Sequence, residues 1–157
     1  MTRLDAETGK WVGTELIRYN DKGERESMSS SSTTNQEDAV RMEYDYNDLG
    51  KIENARLFSK DGFLIREKKN TFYKNGNPKQ ILDYYMDPGT STVYQVYEEN
   101  YLESGELASY YLKTSNESIS QSGEFVYDER LLKESIEFNL AQQPAYLCTF
   151  LIYEFYD

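Results

Sequence analysis

The sequence predicts an all-β protein: an antiparallel meander of about ten strands built from hairpin repeats, its sheet strongly curled or barrel-like. Three observations carry this prediction. An aromatic residue stands four positions before a glycine five times, at Tyr19/Gly23, Tyr46/Gly50, Phe58/Gly62, Phe72/Gly76 and Tyr101/Gly105. The segments between these turns have strand length and alternate apolar with polar residues. No stretch shows a helical period. Chance gives one or two such matches, but five in register mark a repeat.

Taken in order, residues 1–10 are polar and read as a lead-in. Trp11, Val12, Leu16, Ile17 and Tyr19 make the first strand. Asn20-Asp21-Lys22-Gly23 has turn chemistry, with Gly23 suited to a left-handed position. Residues 25–28 read as a polar return strand. The Ser/Thr-rich stretch 29–37 has nothing to bury and is expected to be a flexible loop within a single domain spanning residues 1–157. Val40–Tyr46 alternates cleanly: Val40, Met42, Tyr44 and Tyr46 share one face, and Arg41, Glu43 and Asp45 the other. Ile52–Phe58 returns after Gly50, and residues 63–73 follow Gly62. Pro78 opens the next strand, where a missing N–H does least harm. That strand runs to the turn Asp87-Pro88-Gly89.

The second half repeats the plan more loosely. Residues 93–97 form a strand, Glu103-Ser104-Gly105 a turn, and residues 107–112 the return. Residues 114–123 read as a polar loop. Phe125-Val126-Tyr127 leads into Asp128-Glu129-Arg130, a turn that has lost its glycine. Residues 131–138 follow, and the last strand, 146–156, is the most apolar. Its apolar side chains favour burial on both faces, which argues for curling or closure.

Composition narrows the function. The chain has 157 residues, one ordinary domain's length, and 15 tyrosines among an aromatic content of 15%. That content marks a folded chain despite a mean hydropathy of -0.80. The net charge of -11 disfavours nucleic acid and anionic membrane surfaces as partners. No apolar run has the length of a membrane span. The first residues lack the layout of a signal peptide. The expected setting is secreted, cell-surface or periplasmic with the signal outside this sequence, or cytoplasmic if Met1 is the native start.

There is no histidine, which removes the commonest general base and metal ligand. No cofactor or metal is expected. The single cysteine, Cys148, alternates with Tyr146, Phe150 and Ile152 and reads as a buried core thiol. Asp45, Asn47 and Gly50 fit three positions of a calcium loop, but Leu49 and Arg56 stand where ligands belong. Glu98, Glu99, Glu103 and Glu106 form an acidic cluster that a carboxylate pair would need. Charges on a solvated sheet edge are the commoner use of such residues. The remaining candidates are Tyr84, Tyr85, Tyr94, Tyr97, Tyr110 and Tyr111. They lie in adjacent predicted strands, where one of each neighbouring pair faces away from a core and can stack on a sugar or anchor a protein.

Tyr44-Asp45-Tyr46-Asn47-Asp48-Leu49-Gly50-Lys51-Ile52 resembles the YD-type repeat: a tyrosine–aspartate pair, a polar turn with glycine, then a basic and an aliphatic residue. Tyr127-Asp128-Glu129-Arg130-Leu131 and Tyr19-Asn20-Asp21-Lys22-Gly23 are looser copies. The Tyr/Asn/Lys/Glu-rich character also resembles small secreted proteins of Bacteroides-type bacteria. Large YD-repeat proteins form shells that enclose toxins; this chain is far shorter. The resemblance implies β-sheet architecture and a surface or secreted setting. The expected function is a non-catalytic binding module that takes a protein or glycan on a tyrosine-rich sheet face. The alternatives are an acidic immunity-type inhibitor masking a basic toxin and, third, a carboxylate-dependent glycan-acting enzyme.

Overall fold

The computed structural model describes residues 2–4, 11–32, 40–116, 118–129, 131–139 and 146–150. They form twelve strands: β1 (Thr2–Leu4), β2 (Trp11–Tyr19), β3 (Arg25–Ser32), β4 (Val40–Tyr46), β5 (Ile52–Phe58), β6 (Leu64–Phe72), β7 (Pro78–Met86), β8 (Val93–Tyr101), β9 (Leu107–Thr114), β10 (Ile119–Asp128), β11 (Leu131–Asn139) and β12 (Tyr146–Phe150). No helix occurs among the described residues. Strand order in the sheet is the chain order, so the chain is an antiparallel meander as its sequence predicts. The barrel-like, strongly curled sheet is not supported, because β1 and β12 end the order and do not pair with each other. The physical reason lies in the side chains. Closure needs an apolar interior, and among the described residues Met86 is the one buried apolar side chain.

The turns show why the aromatic-to-glycine spacing recurs. Gly23, Gly50, Gly62, Gly76 and Gly105 all have positive φ, between 69° and 106°. Each glycine N–H donates to the carbonyl three residues back, as in Gly50 to Asn47 at 3.0 Å and Gly105 to Leu102 at 2.9 Å. The residue that opens the turn donates its own N–H across it, as in Asn47 to Lys51 O at 2.9 Å. Asn20 Oδ1 accepts from Lys22 and Glu24, and Asn47 Oδ1 from Leu49 and Lys51, so the Asn side chains hold the turn from inside. The strand register shifts immediately before Tyr19, Tyr46, Phe58, Tyr101 and Tyr127. The aromatic position is therefore a bulge position. The turn that lost its glycine keeps the geometry: Glu129 has a φ of 46°.

The described residues group into two compact units, residues 1–69 with 85–92 and residues 70–84 with 93–157. In the first, Ile17, Met28, Met42 and Leu57 stand directly opposite one another across β2 to β5. The reverse face carries Arg18, Ser27, Glu43, Arg56 and Glu67 in one row across β2 to β6. Arg56 Nη2 meets Asp45 Oδ2 at 2.7 Å, and Arg41 Nε meets Glu43 Oε1 at 3.2 Å. Exposed pairs of this kind contribute little singly. Their aliphatic and planar parts matter as cover: Arg41 lies over the Phe58 ring at 4.5 Å and Arg66 over Tyr85 at 5.0 Å. Tyr46 donates its hydroxyl to Arg25 O at 2.9 Å, tying one turn to the next.

In the second unit the rings of Tyr97, Tyr110 and Phe125 follow one another at 6.0 and 6.2 Å. Tyr110 lies where a side chain at Gly123 would begin, so this glycine makes room for the ring. Tyr110 donates to Glu137 Oε2 at 3.2 Å, and Tyr127 donates to Leu107 O at 2.9 Å.

Several expectations are corrected. Ser29 to Ser32 belong to β3, because backbone pairing with β2 needs no apolar side chain; residues 33–37 lie outside the described residues. Most of 114–123 is strand as well, since β10 starts at Ile119. Cys148 is exposed. Leu147 and Phe150, at 59% and 71% exposure, share its strand, and the second face expected to cover them does not form over residues 146–150. The remainder of the predicted last strand, 151–156, lies outside the described residues.

Candidate functional site

Cross-strand partners share a sheet face, so register decides where the candidate tyrosines go. Across β8 and β9, Tyr97 faces Leu112 and Glu99 faces Tyr110 on one side of the sheet. Val96 faces Lys113, and Glu98 faces Tyr111, on the other. Tyr97 and Tyr110 are thus committed to the ring stack with Phe125. Tyr111 lies on the opposite side, beneath the Lys113 ammonium at 5.3 Å. Tyr94, two residues before Val96 on β8, is 51% exposed, the one candidate of the six that is. Tyr84 lines a groove in this same unit. Tyr85 belongs to the first unit, under Arg66. The six tyrosines therefore do not form one row.

The groove has a volume of about 510 Å³. Leu82 and Tyr84 reach it from β7, Val93, Val96 and Glu98 from β8, Lys113 from β9 and Ile119 from β10. Four aliphatic side chains and one tyrosine thus surround an ion pair. Lys113 Nζ donates to Glu98 Oε2 at 2.5 Å. Glu98 Oε1 also accepts from Gln80 Nε2 at 3.2 Å and Asn100 Nδ2 at 3.1 Å. Burial pushes the Glu98 carboxyl up, but the bonds from Lys113, Asn100 and Gln80 outweigh it and hold the group below its ordinary range. Glu98 is consequently a charged, fully engaged acceptor.

The acidic cluster is not one site. Glu98 and Glu99 fall on opposite faces, and Glu99 accepts the Tyr101 hydroxyl at 3.0 Å. Glu103 is exposed, and its main-chain carbonyl accepts from Asn75 and Asn77. Among the described residues no three acidic or cysteine side chains converge to hold a metal ion. In the calcium-loop-like turn, Asp45 is spent on Arg56 and Asn47 on its own turn. The first unit has a smaller recess of about 300 Å³ in which Arg18 and Arg56 meet Glu26, Glu43 and Asp45. Both charge signs line it, which gives no preference for an anion or a cation.

Gln80, Asn100 and Lys113 escaped the sequence reading. Nothing in their spacing marks them, because they meet across three strands whose register depends on bulges.

No family model matches the chain, and no curated protein matches it by sequence. Its fold is similar to part of two solved structures. One is the TcdB2-TccC3-Cdc42 complex, at 12% identity and a TM-score of 0.51 over 92% of this chain. The other is the Photorhabdus luminescens Tc holotoxin pore, with a mutated TccC3, at 13% identity and a TM-score of 0.52 over 96% of this chain. This chain spans 9% of the length of either of those chains. At such identity the likeness defines a class by architecture: a β-hairpin repeat fold of the kind found within Tc toxin proteins.

Proposed function

We propose that this chain is a non-catalytic binding module that takes a protein or a glycan on the groove face of its second unit, in a secreted or cell-surface setting. The observation that supports this reading is the groove itself, where Tyr84 stands with Leu82, Val93, Val96 and Ile119 around a neutralised Glu98–Lys113 pair. Apolar and aromatic walls with a few fixed polar groups are what ligand sites offer. The exposed Tyr94, on the same side of β8 as Val96, adds an anchor of the type enriched at interaction hot spots. Two facts weigh against a two-carboxylate reaction: Glu98 is spent on three donors, and Glu99 lies on the other face. The YD-type reading of the repeat is kept with this proposal, supported at the level of fold by the Tc toxin likeness.

The net charge of -11 favours the second reading, an immunity-type inhibitor that masks a basic toxin. A secretion signal upstream of the native gene would remove it.

The experiment is a screen of the full chain against a glycan array and a panel of immobilised proteins, repeated with the Tyr84→Ala/Tyr94→Ala double variant. A hit that weakens by about tenfold or more in the variant is expected, equivalent to about 1.4 kcal/mol. Undiminished binding by the double variant would move the site off this face.

A further inference from the structure

The turn between β6 and β7 reads Lys74-Asn75-Gly76-Asn77, and Asn75-Gly76 is the one Asn-Gly pair in the chain. A following glycine leaves the backbone nitrogen open to the asparagine side chain, because no Cβ stands beside it. Here every atom that such an attack would use is held. The Gly76 N–H donates to Tyr73 O at 2.9 Å. Asn75 Nδ2 donates to Glu103 O at 2.8 Å, and Asn75 Oδ1 accepts the Asn77 N–H at 2.9 Å. The reactive amide is also a fastening between two turns, since Glu103 O accepts a second bond from Asn77 Nδ2 at 2.9 Å. Nearby, the Tyr73 hydroxyl donates to Tyr101 O at 2.8 Å.

We propose that Asn75 is a deamidation site which the folded turn guards, and that its conversion unlatches the 73–77 turn from the 102–106 turn. The Gly76 nitrogen attacks Cγ of Asn75 and forms the Cγ–N bond of a five-membered imide. The Cγ–Nδ2 bond breaks, and Nδ2 leaves as ammonia carrying the proton that Gly76 gives up. Water then opens the ring at either carbonyl, leaving aspartate or isoaspartate at position 75. Both products replace the donor that faces Glu103 O with carboxylate oxygens, so an attraction becomes a repulsion. Isoaspartate also adds a methylene to the main chain and shifts Gly76 away from Tyr73 O. Attack requires Gly76 to release Tyr73 first, so the rate follows the fraction of time the turn is open. This site does not depend on the binding function proposed above.

The test follows residue 75 by peptide mass mapping and isoaspartate detection in the full chain, incubated in mildly alkaline buffer with and without urea. Conversion is expected to be about tenfold or more slower in the folded chain. Asn77→Ala, which removes one bond to Glu103 O and leaves the Asn-Gly pair intact, should fall between the two. Equal rates folded and unfolded would overturn the guard, and no conversion in urea would overturn the site. For the latch, Asn75→Asp should speed hydrogen exchange at the Tyr73 and Gly76 amides relative to the parent chain. Unchanged exchange there would overturn it.

Discussion

The tyrosines of this chain are distinguished by what their hydroxyls do. Tyr46, Tyr73 and Tyr127 donate to main-chain carbonyls of neighbouring turns or strand ends, and Tyr110 and Tyr101 donate to carboxylates. Burial and the adjacent Glu99 push the Tyr101 phenol up from 10.0 to about 12. A raised value in the folded state sets the sign of a pH effect. Below pH 10 the phenol is neutral in both states and its contribution is complete. Between pH 10 and about 12 the unfolded chain ionises while the folded one keeps its proton, and the contribution is lost. The Tm of the parent chain should therefore fall more steeply over that window than the Tm of Tyr101→Phe. Parallel curves would show that Tyr101 is not the responsible group. The abundance of tyrosine was legible in the sequence, but its division between internal fastening and exposed surface was not. That division is set by which carbonyl or carboxylate lies opposite, and one register shift changes the answer.

At the scale of the hairpin, the aromatic-to-glycine spacing was legible because it reports two local constraints at once. The glycine takes a conformation that other residues adopt at a cost, and the aromatic occupies the bulge that closes the turn. Glu129 tests this directly, since it holds a φ of 46° at the turn without glycine. Relief of a left-handed conformation is worth about 1 kcal/mol, so Glu129→Gly is expected to stabilise the chain by about that amount in urea unfolding. No change, or a loss, would mean that the Glu129 side chain contributes more than its backbone costs. The serine run was misread because low complexity says what side chains cannot bury and nothing about backbone pairing. The apolar last strand was misread for the opposite reason: its composition suits burial, and burial needs a second surface.

For the whole molecule, the meander was readable from the succession of turns, whereas the lack of closure was not. A strand count gives the width of a sheet but not whether its two ends meet. Among the described residues no side chain is fully buried, and stability must come from many half-buried contacts between neighbouring strands. Systems built of nearest-neighbour contacts open piecemeal. Amides of β8 to β10, beneath the Tyr97–Tyr110–Phe125 stack, should therefore exchange with solvent more slowly than those of β12. Uniform protection over the described strands would instead indicate a single cooperative unit.

The accessible thiol of Cys148 gives the chain a natural attachment point. With one cysteine in 157 residues, a maleimide dye or spin label has a single address and no engineered residue is needed. A reporter there can follow local opening of β12 as the rest of the sheet stays paired. In oxidising buffer the same thiol can couple two chains, so purification calls for a reductant.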